Sequence, residues 1–195
     1  RTHTNDFRAV ANWAGRAASV SADYVHAVGF SLGAAIIAAA MNQGLTLRSA
    51  AFLSPALRPK YDMWPRYALS TIQNELAANG HIKKNGVLVG RQFLECLRDT
   101  DLAPRWRYQP QAPLLICHGT GDERIPFATS SKIFGKRAHD TTFRAFSGAS
   151  HSFRPETIHR PRLIEEVCDW FQMSSAFMSS ANRFDEPATM ARAPE

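Results

Sequence analysis

The stretch YVHAVGFSLGAAIIAAA, residues 24–40, joins a strand-like pattern to a helix-like pattern at a single serine. Its first six residues are typical of a short buried strand, and the alanine- and isoleucine-rich run from Leu32 onward is typical of a helix. Ser31 stands at the junction, between Gly29 and Gly33. A turn that only connects a strand to a helix needs no hydroxyl at its apex. We therefore treat Ser31 as a candidate for chemistry.

The motif G-x-S-x-G offers a physical explanation for the presence of both glycines. A nucleophilic serine at so sharp a turn lies in strained backbone, so the residues two positions away, Gly29 and Gly33, are expected to be small. The helix that follows directs its N-terminal dipole and free N–H groups at the serine. The N–H of Leu32 is therefore expected to stabilise an oxyanion. The alternative interpretation is a glycine-flanked turn serine without chemistry.

Strands and helices alternate along most of the chain. Helices are predicted over residues 5–19, 32–42, 127–137 and 162–171, and strands over residues 24–29, 49–53, 113–117 and 141–146. This alternation predicts the α/β class, with a mostly parallel sheet flanked by helices. One domain is expected to cover residues 1–173. Residues 174–195, rich in Ser, Ala, Pro and Arg and without periodicity, are expected to form a disordered tail.

Residues 56–111 interrupt the alternation as an insertion. Asn85-Gly86 between two short β-type runs predicts a tight hairpin, and residues 91–101 are predicted to form a helix. An insertion above the carboxyl ends of the strands would be a small cap over a site there. Six apolar cap residues either line a substrate pocket or form the cap's own core: Met63, Trp64, Tyr67, Val87, Leu88 and Phe93.

Two later loops supply the partners that a nucleophilic serine needs. A serine hydroxyl reacts poorly unless a base takes its proton and a third group orients that base. Asp122 lies in HGTGDERIP and His151 in GASHSF, each directly after a predicted strand. Open α/β sheets hold their sites at the carboxyl ends of the strands. Ser31, Asp122 and His151 are therefore predicted to form a catalytic triad.

Other acids and histidines are weaker candidates. Asp140 precedes its strand and so lies at the wrong end of the sheet, and the longer side chain of Glu123 is expected to point away from that of Asp122. His118 is expected to hydrogen-bond the loop that follows it. Structural or surface roles are predicted for the remaining histidines: His3, His26, His81, His139 and His159.

Together these motifs resemble the serine-dependent α/β-hydrolases. Within them, the chain resembles the serine-aminopeptidase-like group that includes cinnamoyl and feruloyl esterases. The matching residues are GFSLG at 29–33, HGTGDERIP at 118–126 and GASHSF at 148–153, with the hairpin and GRQFLECL at 90–97 similar to the small cap of those esterases. The resemblance runs from about residue 6 to residue 171. It implies that Ser31 is the nucleophile, His151 the general base and then acid, and Asp122 its orienting partner.

The sequence departs from that family at its beginning. In the family, several strands and a loop with a second oxyanion N–H precede the nucleophile, whereas one predicted helix precedes the first strand here. The later strands extend the sheet on one side only, which would leave the other edge of the first strand uncovered. We therefore expect the complete protein to have an upstream segment of about 70 to 100 residues.

The resulting hypothesis is a serine hydrolase that cleaves a small-molecule carboxylic ester through an acyl-enzyme. It needs no metal or organic cofactor. Acyl-thioester hydrolysis, acyl transfer and aminopeptidase activity would use the same residues. Outside enzymes, the alternative is a non-catalytic binding module on a hydrolase fold.

Composition limits the other classes of function. The chain has 195 residues, 45% hydrophobic and 21% charged, which suits one globular domain. Its net charge of +6 is scattered, without the patch or stripe of a nucleic-acid-binding protein, and no window is apolar enough to predict a membrane span. Cys96, Cys117 and Cys168 are too widely spaced for a disulfide framework or a zinc site. We interpret them as reduced core residues of a cytoplasmic protein.

Overall fold

A four-stranded parallel sheet forms the centre of the computed structural model, which describes residues 3–17, 25–108, 112–135 and 141–181. In spatial order its strands are β1 (His26–Phe30), β2 (Ser49–Leu53), β5 (Leu114–Gly119) and β6 (Thr141–Phe146). Every neighbouring pair is parallel. Because the carboxyl ends of parallel strands meet at one edge, the loops that follow them lie side by side there. The predicted α/β class is confirmed.

Helices bury both faces of the sheet. The sheet-flanking helices are α1 (His3–Arg16), α2 (Leu32–Asn42), α7 (Phe127–Phe134) and α8 (Glu156–Ala181). In β5, Leu114 and Ile116 lie in one apolar cluster with residues of α2, whereas Leu115 and Cys117 lie in another with residues of α8. Successive side chains of a strand point to opposite faces, so a strand covered on both sides requires an unbroken apolar run.

The cap between β2 and β5 contains the predicted hairpin and more helix than expected. Its elements are α3 (Pro59–Asp62), a 3-10 turn (Trp64–Arg66), α4 (Ser70–Asn79), β3 (His81–Lys84), β4 (Val87–Gly90), α5 (Arg91–Asp99) and α6 (Ala103–Tyr108). Strands β3 and β4 are antiparallel, and Asn85 and Gly86 between them have φ values of 51° and 81°. Helices α3, α4 and α6 are short, and α4 buries only Leu76, so a periodic apolar pattern does not reveal them.

Several boundaries differ from the prediction. β5 continues beyond residue 117, so His118 and Gly119 belong to the strand. α8 begins at Glu156 and continues to Ala181, so residues 174–181 are helical where a tail was expected. Pro161 precedes the predicted start and serine pairs follow the predicted end, so the sequence pattern located only the middle of this helix. Neither α8 nor any other described helix is long and apolar enough to cross a membrane.

Parts of several predictions lie outside the described residues. They are the end of the first helix at residues 18–19, the start of the first strand at residue 24, the end of the third helix at residues 136–137, and residues 182–195 of the expected tail. Asp140 and His139 lie outside them as well. The described part of the first strand starts at His26 and continues one residue further than predicted, to Phe30.

β1 lies at one edge of the four described strands. The sequence predicted this position, since the later strands were expected to extend the sheet on one side only. On this strand Val28 is 49% exposed and Phe30 is 45% exposed. The ring of Phe30 is also 5.0 Å from that of His151.

The three cysteines differ in burial. Cys117 is buried in β5, and burial raises the pKa of its thiol to about 12. Cys96 and Cys168 are exposed, so the prediction that all three are core residues is wrong for these two. In α5, the helix of Cys96, the buried positions are Leu94 and Leu97 instead.

Candidate active site

Ser31 lies at the junction of β1 and α2 with a backbone φ of 53°. This left-handed conformation is rare for residues other than glycine. Two main-chain hydrogen bonds hold it: Ser31 N–H donates to the Leu53 carbonyl (2.8 Å), and Ala56 N–H donates to the Ser31 carbonyl (3.1 Å). Such strain costs about 1 to 3 kcal/mol and persists only where the surroundings impose it. The last residue of β2 and the chain just after it thus fix Ser31 at the edge of the sheet.

The two glycines of the motif have different surroundings. A Cβ on Gly29 would lie 2.6 Å from the Cα and backbone N of Ala34 in α2, closer than such atoms approach. A Cβ on Gly33 would meet nothing within 4 Å among the described residues. The expected need for a small residue is therefore visible at Gly29, and the described part of the chain shows no such need at Gly33.

His151 lies between Ser31 and Asp122. Its Nε2 is 3.0 Å from Ser31 Oγ, and its Nδ1 is 2.8 Å from Asp122 Oδ2. An ionised carboxylate only accepts hydrogen bonds, so Nδ1 carries the hydrogen and Nε2 is free to accept the Ser31 hydroxyl. The structure brings together the three side chains that the sequence singled out, from loops after three different strands.

Asp122 is hydrogen-bonded at both carboxylate oxygens, and its side chain is fully buried. Oδ1 accepts the N–H groups of Arg124 and Ile125, each at 2.8 Å. Oδ2 accepts from His151 and from His118 at 3.0 Å. Burial alone would raise the pKa of Asp122, but these four donors outweigh it and hold that pKa well below its usual range. The group therefore stays ionised beside His151.

Two side chains that the sequence did not assign to the site hold the main chain of His151. Its N–H donates to Glu123 Oε2 at 3.1 Å, and Ser54 Oγ donates to its carbonyl at 3.3 Å. The Glu123 side chain therefore supports the histidine loop. The same loop passes so close to Gly119 that a Cβ there would lie 2.2 Å from the Ala149 carbonyl oxygen.

The other described histidines make contacts away from Ser31. His118 bonds its loop as predicted, at 3.1 Å from the Ile125 carbonyl. His26 is 2.8 Å from Ser49 Oγ in the neighbouring strand, and the ring of His159 lies against Phe146. His81 begins β3, and His3 lines the cavity described below.

Leu32, the predicted oxyanion donor, is the first residue of α2. First-turn N–H groups have no partner within their own helix, as a donor to a ligand at Ser31 would require. The Leu32 side chain lines a cavity of about 470 Å³ between α1, α2 and α5. Apolar residues of α2 and the cap contribute much of its wall: Leu32, Ala35, Ile36, Phe93 and Leu97.

Three of the six apolar cap residues named from the sequence, Met63, Trp64 and Phe93, bear on whether these residues line a pocket or form the cap's core. Met63, Trp64 and Phe93 all pack against the cap's apolar cluster, which is built around Leu94 and Leu97. Phe93 also lines the cavity. The alternative interpretation, a core of the cap itself, therefore fits Met63 and Trp64, and Phe93 fits both interpretations. Among the described residues, no three His, Cys, Asp or Glu side chains are grouped so as to hold a metal ion.

A sequence model of the prolyl oligopeptidase family matches residues 1–176. The chain belongs to the prolyl oligopeptidase family. The predicted resemblance to α/β-hydrolases is confirmed by this match together with the fold, although the matching family is not the serine-aminopeptidase-like group. No match was found among curated protein sequences.

Solved structures similar to this prolyl oligopeptidase family member share its fold at low identity. An esterase domain from Rhodothermus marinus is 20% identical with a TM-score of 0.55, over 93% of this chain and 69% of that one. Est1E from Butyrivibrio proteoclasticus with bound ferulic acid is 17% identical with a TM-score of 0.64, over 91% and 66%. A monoacylglycerol lipase from Paleococcus ferrophilus is 16% identical with a TM-score of 0.63, over 88% and 74%. The chain thus spans about two thirds to three quarters of each of these structures.

Proposed function

We propose that the chain is a serine hydrolase that cleaves carboxylic esters through an acyl-enzyme intermediate. The observation that carries the proposal is the continuous hydrogen-bonded series from Ser31 Oγ through His151 to Asp122, at 3.0 and 2.8 Å. Strained backbone presents the serine, and a buried, ionised carboxylate fixes the ring of the base. This combination supplies an activated nucleophile without a cofactor.

Acylation begins when Ser31 Oγ attacks the ester carbonyl and its proton passes to His151 Nε2. Asp122 stabilises the imidazolium that forms, through the hydrogen on Nδ1. The carbonyl oxygen becomes an oxyanion, for which the N–H of Leu32 is a donor at the positive end of α2. The intermediate then collapses: the carbon–oxygen bond to the alcohol breaks, and His151 gives its proton to the departing oxygen.

Deacylation repeats the sequence with water. His151, again neutral, takes a proton from water as the water oxygen attacks the acyl carbonyl. The second tetrahedral intermediate collapses by breaking the bond to Ser31 Oγ, which recovers its proton from His151. The carboxylic acid leaves and the free serine is restored.

Two observations support an ester as the substrate. The cavity beside Leu32 has a largely apolar wall, which suits an apolar acyl or alkyl group more than a charged one. One structure similar to this chain is named as an esterase domain, another, Est1E, has ferulic acid bound, and a third is named as a monoacylglycerol lipase. Assays on esters of graded chain length, beside a hydroxycinnamate ester and an acyl thioester, would separate the candidate acyl groups.

Peptide or amide hydrolysis is the second candidate function. The family match carries it, since the matched family is named for an oligopeptidase. The same three residues would act, with an amine in place of the alcohol as leaving group. Parallel assays on p-nitrophenyl esters and aminoacyl p-nitroanilides decide between them, and higher kcat/KM on the anilides would overturn the ester assignment.

Ser31→Ala tests the proposed nucleophile. We expect kcat on any ester substrate to fall by about 10⁴- to 10⁶-fold, because loss of a triad member leaves only binding and oxyanion stabilisation. The folded state should be retained, as circular dichroism and thermal unfolding would show. A folded Ser31→Ala protein that kept a tenth of the activity would refute the assignment. An inactive native protein would favour the binding-module alternative.

A further inference from the structure

A second imidazole lies behind the Asp122 carboxylate. His118, near the end of β5, is fully buried, and its Nε2 is 3.0 Å from Asp122 Oδ2. The same oxygen bonds His151 Nδ1 at 2.8 Å. One carboxylate oxygen therefore lies between two histidine rings. The acyl-enzyme mechanism uses the ring of His151 and assigns no part to the ring of His118.

The protonation of His118 at Nε2 follows from its neighbours. Nε2 faces two acceptors, Asp122 Oδ2 and the Ile125 carbonyl, so it carries a hydrogen. On the other side of the ring, Nδ1 is 2.8 Å from Ser130 Oγ in α7. The Ser130 hydroxyl donates to Nδ1 if the ring is neutral and accepts from it if the ring is charged. In either state His118 donates to Asp122.

We propose that His118 is a positioning residue of the triad: its Nε2–H holds Asp122 Oδ2 toward His151 and takes up part of the carboxylate's negative charge. This inference rests on the proposed function, since it assigns His118 a part in orienting the proposed base. Without the donor, the carboxylate is freer to rotate and attracts the His151 proton more strongly.

The charged groups around the two rings remain when His118 is replaced. Among the described residues they include Asp122 between the rings and Glu123, which accepts the His151 N–H. They also include Asp62 of the cap, which accepts from Thr129 of α7, and Arg66 of the cap, which donates to the Arg124 carbonyl. A change in the titration of the His151 ring on substitution of His118 therefore reports the loss of the His118 donor.

Asparagine and glutamine separate the two sides of the His118 ring. An asparagine amide reaches roughly the position of Nδ1, so His118→Asn keeps a partner for Ser130 and loses the donor to Asp122. A glutamine amide reaches roughly the position of Nε2, so His118→Gln keeps the donor and loses the Ser130 partner. The two variants have similar polarity and form a matched pair. NMR titration of the His151 ring and the pH dependence of kcat/KM are the measurements.

His118→Asn should move the His151 titration midpoint up by about 0.5 to 1 pH unit, with the acid limb of kcat/KM moving by the same amount. Its kcat should fall about 10-fold with little change in KM, because orientation of the base matters in the transition state. His118→Gln should stay within about 0.2 unit of the native midpoint and about threefold of the native kcat.

A purely structural role would give a different result. Both variants would then lose thermal stability. The His151 midpoint would either stay in place in His118→Asn or move by the same amount in both variants, and each of these two midpoint results would overturn the proposal. If His118→Asn does not fold, His118→Gln decides alone. A His151 midpoint that moved by half a pH unit or more in this variant, although the donor to Asp122 is retained, would also overturn the proposal. The NMR titration needs no turnover, so it tests the role of His118 even if the native chain hydrolyses no ester. Absence of ester hydrolysis would refute the proposed function and not the role of His118.

Discussion

Asp122 meets four hydrogen-bond donors, two backbone N–H groups at Oδ1 and two imidazoles at Oδ2. An amide in its place cannot satisfy both sides. If the amide oxygen accepts the backbone N–H groups, the amide nitrogen faces His151 Nδ1 and forces that nitrogen to become an acceptor. The hydrogen of the ring then lies on Nε2, which can no longer accept the Ser31 proton.

Asp122→Asn should therefore lower kcat by roughly 10⁴-fold. Glu123→Gln is the matched control, since a glutamine oxygen can still accept the His151 main-chain N–H. We expect Glu123→Gln to lower kcat/KM by no more than about threefold, because a neutral acceptor replaces a charged one at an exposed position. Steady-state kinetics on one ester would check both variants. Comparable losses in the two would mean that the acid has been wrongly assigned.

The depressed pKa of Asp122 also affects stability in acid. Its folded-state pKa lies below the unfolded value of about 3.9, so the ionised form contributes stability that is fully present above that pH and is lost as the pH falls toward the folded pKa. The free energy of unfolding of the native chain should exceed that of Asp122→Asn most between pH 5 and pH 8, and the difference should shrink below about pH 4. Urea unfolding across this range measures it. A difference independent of pH would contradict the hydrogen-bonded, ionised state.

At the scale of elements, the approach of α2 to β1 decides the geometry at Ser31. Gly29→Ala would place a Cβ 2.6 Å from backbone atoms of Ala34, which cannot move as a flexible side chain can. We expect destabilisation by about 1 to 3 kcal/mol, with a large loss of activity as Ser31 is displaced. Gly33→Ala is the matched control, and its open surroundings and helical position predict equal or greater stability, by up to about 1 kcal/mol. Thermal unfolding and esterase assays of both variants would check this. A more harmful change at Gly33 than at Gly29 would contradict the described packing.

The elements that the sequence predicted best are those with one dominant pattern. β2 and β5 are continuous apolar runs because both of their faces are covered, and Asn85-Gly86 has the turn chemistry of a hairpin. The cap helix α4 buries only Leu76, and the predicted middle of α8 is preceded by Pro161 and followed by serine pairs. A periodicity argument therefore located neither α4 nor the ends of α8.

At the scale of the whole molecule, the site joins residues far apart in the chain. The rule that open α/β sheets hold their sites at the carboxyl ends of strands predicted that Ser31, Asp122 and His151 would meet. The support from Ser54 and Glu123 depends on how two loops pack, and no spacing in the sequence specifies that. The exposure of Cys96 could not be predicted either, because it depends on which face α5 presents to the cap core.

Labelling with a fluorophosphonate tests most directly whether Ser31 is an activated nucleophile. Such a reagent modifies a serine whose proton is taken by a positioned base, and mass spectrometry locates the adduct. We predict a single adduct on Ser31, absent in Ser31→Ala and formed at least about 100-fold more slowly in His151→Ala, in line with the contribution of general base catalysis. A folded native chain that is not labelled at Ser31, or that is labelled equally fast in His151→Ala, would contradict the assignment.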